Sequence, residues 1–144
     1  MFCYHTTIKL RDTDATGVLF FTEQLRLALD VFDAYLLSTD SSLSQFLEAH
    51  RCLMPIVHAE ADYIFPLRLS DKIEIRMAVE KIGASSFTLV YHFFNSLINR
   101  LAGKVKIVHV CTNKETGEKM SLPDQLIQQL RAMPQEPLVV AGQV

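Results

Sequence analysis

Arg11-Asp12-Thr13-Asp14-Ala15-Thr16-Gly17-Val18-Leu19-Phe20-Phe21 is a polar turn that runs into an apolar segment. Asp, Thr and Gly favour turns and caps over strand continuation. After Gly17 neither Gly nor Pro occurs until Pro55, so the stretch reads as a loop feeding a helix N-terminus. A helix start presents unpaired backbone N–H groups and the positive end of the dipole, which together hold an oxygen that gains negative charge. Asp14 stands beside that place, and the chemistry is expected there.

Downstream of the turn, Leu25, Ala28, Leu29, Phe32, Tyr35 and Leu36 recur at intervals of three and four, with Glu23, Arg26, Asp30 and Asp33 on the other face. Leu27 and Val31 widen the apolar stripe, which predicts a helix from Phe21 enclosed by a sheet. Upstream, residues 4–10 alternate as a first strand. Beyond the helix, Thr39-Asp40-Ser41-Ser42 is a break, and a short second helix is expected over Leu43 to His50. Pro55 marks the passage into extended structure. Strands are expected over 56–69, 71–82, 87–95 and 101–113, separated by polar breaks. Ile73, Ile75, Met77 and Val79 alternate with Glu74, Arg76 and Glu80, as in a sheet with one wet face. The short connections predict that consecutive strands are antiparallel neighbours. A last helix is expected over Pro123 to Ala132, with fraying from about residue 134. The order gives a single α+β domain over 1–144, a curved antiparallel sheet of about five strands around one long helix.

Composition bounds the function. Hydrophobic residues at 49% and charged residues at 21% suit a folded domain. A net charge of -2 and a pI near 6.2 argue against a nucleic-acid binder. The three cysteines, Cys3, Cys52 and Cys111, include no C-x-x-C pair, which points away from disulfide frameworks and zinc ribbons and towards a reducing compartment. No apolar run approaches the roughly 20 residues of a membrane span. A cytoplasmic protein without membrane insertion is expected.

The order of elements, together with Asp12-Thr13-Asp14-Ala15-Thr16-Gly17-Val18-Leu19-Phe20-Phe21, resembles the hotdog-fold acyl-CoA thioesterases of the 4-hydroxybenzoyl-CoA thioesterase type, from about Tyr4 to Leu130. Met54-Pro55-Ile56-Val57-His58-Ala59-Glu60-Ala61-Asp62-Tyr63 looks most like the branch acting on 1,4-dihydroxy-2-naphthoyl-CoA. The resemblance implies hydrolysis of an aromatic acyl-CoA to the free acid and CoA, with Asp14 as the catalytic carboxylate, either nucleophile or general base. Backbone N–H groups of Phe20 and Phe21 would then receive the oxyanion. The chain departs from the pattern at Glu23 and Gln24, where many relatives carry Asn and an aromatic residue, so Glu23 is a possible auxiliary base. Fatty acyl-CoA or acyl-carrier-protein thioesterases are the alternative, and a non-catalytic acyl-CoA binding module a further one. A dehydratase of the same fold generally uses a His on the central helix, and no His lies between Thr6 and Ala49.

Other residues carry weaker expectations. Gly17 supplies a turn or a close approach to substrate. His58 is a substrate-pocket candidate for a ring hydroxyl. His58, Glu60 and Asp62 alternate on one strand face, a spacing that also presents metal ligands, but without a further His or Cys cluster no metal is expected. The resemblance makes Ser86 a candidate contact contributed across a dimer interface. Arg100, Lys104, Lys106, Lys114 and Lys119 include candidates for CoA phosphates. No cofactor is required, because CoA belongs to the substrate. An exposed edge of a single curved sheet implies a homodimer or homotetramer.

Overall fold

The computed structural model describes residues 1–39 and 42–133. The expected fraying from about residue 134 falls outside the described residues. The chain forms β1 (Phe2–Thr7), a 3-10 turn (Leu10–Asp12), α1 (Phe21–Ser38), α2 (Leu43–His50), β2 (Cys52–Leu53), β3 (Ile56–Tyr63), β4 (Lys72–Ile82), β5 (Ser86–Asn95), β6 (Arg100–Val110), β7 (Thr112–Asn113) and α3 (Asp124–Ala132). Five strands make one antiparallel sheet in the order β1-β4-β5-β6-β3, and β2 pairs with β7 as a separate ribbon.

The core lies between α1 and one face of this sheet. Ile73, Ile75 and Met77 of β4, Phe87, Leu89, Tyr91 and Phe93 of β5, and Val105 and Ile107 of β6 are all buried against Ala28, Val31, Phe32 and Leu36 of α1. The alternation in β4 thus puts its apolar set inward, as expected for a sheet with one face on the core. The outward set is polar, with Glu74 accepting from Arg76 at 2.5 Å and the Arg76 guanidinium lying over the Phe94 ring. α3 closes one side, where the Tyr35 hydroxyl of α1 donates to the Gln129 carbonyl at 2.6 Å. α2 starts at Ser42, whose side chain accepts from the Gln45 amide while the Gln45 side chain accepts from the Ser42 amide, a capping box.

The strand expected over 101–113 ends at Val110, and Thr112–Asn113 pairs with β2 instead; two further expectations fail. The strand expected over 56–69 stops at Tyr63, because Pro66 cannot donate to a ladder. Residues 64–71 instead run beside the Asp14 loop: the Leu19 N–H donates to the Leu67 carbonyl at 2.7 Å and the Leu69 N–H to the Gly17 carbonyl at 2.9 Å. For the same reason β3 and β4 are not neighbours. β3 pairs with β6 at one edge of the sheet, and β6 and β5 lie between it and β4. The 64–71 segment is therefore a crossover that doubles as the wall of the loop.

Candidate active site

The loop at the start of α1 is built from three local devices. Asp12 is 1% exposed; its Oδ2 accepts from the Lys9 N–H at 2.8 Å and its Oδ1 from Arg26 Nη2 at 2.6 Å. Its carbonyl accepts the Phe20 N–H at 2.8 Å, so the turn is fastened at both ends to one residue. Gly17 has φ +79°, the left-handed region, and a Cβ there would meet nothing within 4 Å. Its role is therefore conformational rather than one of close approach.

Asp14 is held by its own turn. Its Oδ1 accepts from Thr16 Oγ1 at 2.6 Å, from the Thr16 N–H at 2.8 Å and from the Val18 N–H at 3.3 Å, while Oδ2 takes no hydrogen bond among the described residues. The hydrogen bond from the Thr16 side chain, and then that from its backbone, hold the carboxyl below the usual carboxylate range. Asp14 is thus ionised at neutral pH with one oxygen free. Thr16→Val removes the first of these donors and raises the pKa. If ionised Asp14 is required, the acid limb of the kcat/KM profile of the variant lies at higher pH than in wild type, a shift that a pH–rate series measures.

Asp14 lines a cavity of about 420 Å³ together with Val18, Leu19, Phe20, Phe21 and Gln24 on the loop and helix, and with Tyr63 to Leu67 and Ala102 opposite. Its walls are mostly apolar side chains, with the carboxylate at one side. Phe21 is the first residue of α1, and the Phe21 and Thr22 N–H groups make no backbone hydrogen bond among the described residues. They are the unpaired donors that a helix start leaves. The Phe20 N–H is not such a donor, since Asp12 already takes it. Of the expected pair, Phe20 and Phe21, only the Phe21 N–H is without a backbone acceptor among the described residues, with that of Thr22 next to it on the helix.

Not every candidate residue meets here. Glu23 turns towards Arg26, whose Nε donates to its Oε2, and Arg26 also reaches Asp30 at 3.0 Å. The helical spacing of these charges makes them an ion-pair cluster, and Glu23 does not line the cavity. His58 lies on the face of the sheet turned away from α1, 3.4 Å from Glu60, because it pairs with outward-facing Val108 while its neighbour Ala59 pairs with inward-facing Ile107. From within this chain it does not reach the cavity. Ser86 pairs with Val110, eight residues along β6 from Ala102, roughly 27 Å away. Among the basic candidates Lys106 pairs with Glu60 and Glu80, and Lys114 with Glu48. Arg100 lies over the ring of Phe65, a cavity residue, at 4.0 Å.

Three contributors escaped the sequence. The Tyr63 hydroxyl donates to the Phe21 carbonyl at 2.6 Å and fixes the end of β3 to the first turn of α1. Gln24 is 2% exposed, and its Nε2 donates to the Asp62 carbonyl at 3.0 Å and the Lys104 carbonyl at 3.3 Å. Arg26 anchors Asp12. Only the last had a visible signal, a basic residue three after Glu23 and four before Asp30 on one helix face. Among the described residues no three His, Cys, Asp or Glu side chains are grouped to hold a metal ion, and no helix is long and apolar enough to cross a membrane.

Comparison with known proteins gives the family and the fold. The model of the thioesterase-like superfamily matches residues 8–130. A 1,4-dihydroxy-2-naphthoyl-CoA hydrolase of Gloeothece citriformis is 32% identical over 90% of this chain and 92% of its own length. One from Nostoc punctiforme is 30% identical over 90% of this chain and 86% of its own. The crystal structure of a 1,4-dihydroxy-2-naphthoyl-CoA thioesterase from Synechocystis superposes with a TM-score of 0.86 at 23% identity, covering 92% of this chain and 96% of that one. The sheet wrapped on α1 is accordingly the hotdog fold, and the chain belongs to the thioesterase-like superfamily, as a hydrolase of thioesters.

Proposed function

We propose that the protein hydrolyses an aromatic acyl-CoA, of the 1,4-dihydroxy-2-naphthoyl-CoA class, to the free acid and CoA. The observation that carries this is that the Asp14 carboxylate and Phe21, the first residue of α1, line one largely apolar cavity, at a helix start whose Phe21 and Thr22 amides have no backbone acceptor among the described residues. The names of the curated relatives, which act on 1,4-dihydroxy-2-naphthoyl-CoA, support the acyl class. The acyl group enters between Phe20, Phe21 and the 64–67 wall, and its carbonyl oxygen turns to the helix start. As the carbonyl carbon becomes tetrahedral, the oxygen takes on charge that the two amides and the helix dipole stabilise.

Two routes are open to Asp14. Its free Oδ2 attacks the carbonyl, expels CoA as the thiolate and leaves a mixed anhydride that water cleaves. Alternatively, it takes a proton from a water that attacks directly. Neither route needs a metal or redox cofactor. A single turnover in heavy-oxygen water separates them, because attack of water on the Asp14 side of an anhydride leaves the label in Asp14. The function itself is tested by thiol release from naphthoyl, benzoyl and fatty acyl-CoA thioesters. Release above background, fastest with naphthoyl, is expected. No release from any thioester overturns the enzyme reading, and a preference for fatty acyl-CoA overturns the aromatic one.

The unit that works is a dimer in this proposal. Among the described residues β3 is an unpaired edge, and it carries the exposed apolar residues Ile56, Val57 and Tyr63, with Ile64 just beyond. Such an edge recruits another strand. Antiparallel pairing of two β3 strands about a two-fold axis sets the Ile56 end of one beside the Tyr63 end of the other. The Ser86 turn of each chain then lies on the side of the partner's Asp14 cavity, the one arrangement in which Ser86 acts at the site. Val57→Lys should shift the protein towards monomer in sedimentation and lower thiol release in parallel. A monomeric wild type with full activity would rule the pairing out.

A further inference from the structure

Gln24 combines three properties that its structural role does not require together. It is buried, yet it is the one amide side chain lining the Asp14 cavity. Its Nε2 is committed to two carbonyls, those of Asp62 on β3 and Lys104 on β6. Two acceptors on one nitrogen fix which end of the amide is NH₂, since an oxygen there would face two other oxygens. The amide cannot turn over to suit a ligand. Its Oε1 accepts no hydrogen bond among the described residues, and it is not among the polar atoms sealed in the core without a partner, as His109 Nε2 is. Gln24 therefore offers the cavity a fixed acceptor.

The rest of the lining leaves that acceptor few partners within the chain. Tyr63 spends its hydroxyl on the Phe21 carbonyl, and Asp14 brings no proton to donate because it is ionised. The remaining walls are apolar side chains, from Val18 and Leu19 through the Phe20–Phe21 pair to residues 64–67 and Ala102. An acceptor desolvated by an entering apolar ligand costs binding energy unless the ligand donates to it. We propose that Gln24 is a specificity residue whose Oε1 accepts a hydrogen bond from a hydroxyl on the acyl ring, so that the cavity discriminates hydroxylated aryl thioesters from plain ones. This rests on the thioesterase reading above and adds to it the group that reads the ring. A pocket built to bond a hydroxyl rejects the analogue lacking it more strongly than an apolar pocket rejects a missing methylene.

The test compares kcat/KM by thiol release for 1,4-dihydroxy-2-naphthoyl-CoA and 2-naphthoyl-CoA, in wild type and in Gln24→Leu. Wild type should favour the dihydroxy thioester by about tenfold or more, and Gln24→Leu should shrink that ratio by about tenfold. An equal kcat/KM for the two thioesters in wild type overturns the proposal without any variant. So does a ratio that Gln24→Leu leaves unchanged, because both substrates then suffer alike from a merely structural loss. Gln24→Leu strands two strand carbonyls, so Gln24→Asn, which keeps the amide and withdraws it by one methylene, runs beside it with circular dichroism as the check on folding. The same fall in ratio is expected from it. A wild type that hydrolyses neither thioester overturns the enzyme reading and this proposal together, whereas hydrolysis with an insensitive ratio overturns this proposal alone.

Discussion

Asp14→Asn should lower kcat by about a thousandfold or more while leaving the fold intact. The two effects separate because of how Asp14 is held. Its Oδ1 organises the turn by accepting from Thr16 and Val18, and an Asn carbonyl oxygen accepts the same bonds. Its Oδ2 faces no donor of the described chain, and in the proposed reaction the charge on that oxygen is what attacks or what takes a proton. Asn supplies neither. The thermal midpoint of the variant should match wild type, and thiol release on the best aryl thioester should fall to near background. A variant with wild-type kcat would remove Asp14 from the reaction and leave the cavity as a binding site.

The second large effect is expected from Asp12→Ala, a residue that touches no substrate in this scheme. Asp12 is buried and accepts from Lys9 and Arg26 through its two oxygens. Removal leaves the Lys9 amide without its acceptor and releases Arg26 to Glu23 and Asp30 alone. Arg26 is partly exposed, so water offsets much of the loss of the ion pair. A destabilisation of about 2 kcal/mol is expected, seen as a fall of roughly 4–8 °C in the thermal midpoint. Because the Asp12 carbonyl also holds the Phe20 N–H, slack in this turn moves both Asp14 and the first amides of α1. kcat should fall about tenfold with little change in KM, since near-attack geometry is lost rather than binding. Asp12→Asn keeps the acceptor for Lys9 and should fall between the two. An unchanged kcat in a folded Asp12→Ala would show that the loop holds its shape without this anchor.

Much of the fold was legible because its elements announce themselves locally. α1 begins at Phe21 and α2 spans Leu43–His50, as the apolar spacing and the polar break before Leu43 predict. The inward set of β4 follows from alternation alone. The failures are nonlocal. Ile64, Phe65, Leu67 and Leu69 look like a continuing strand by composition, but they form the wall of a loop some fifty residues earlier in the chain, and no period records that. The hydrogen bond that engages the Phe20 N–H spans eight residues between a loop carbonyl and a helix cap. For His58, alternation placed it on one face with Glu60 and Asp62, and only the pairing with β6 decides that this face looks away from the helix. The motif around Asp14 was readable because a turn, a cap and a helix start lie within one short stretch. The reach of Gln24 across two strands was not.

That reach depends on Gly103. A Cβ built there would lie 2.6 Å from Gln24 Oε1, so the amide would have to shift away from the two carbonyls that hold its Nε2. Positions 24 and 103 are thus a matched pair separated by most of the chain. Among relatives they should vary together, with Gln at 24 confined to sequences that keep Gly at 103. Grafting this acceptor into another hotdog hydrolase therefore takes two substitutions, and either one alone should disappoint.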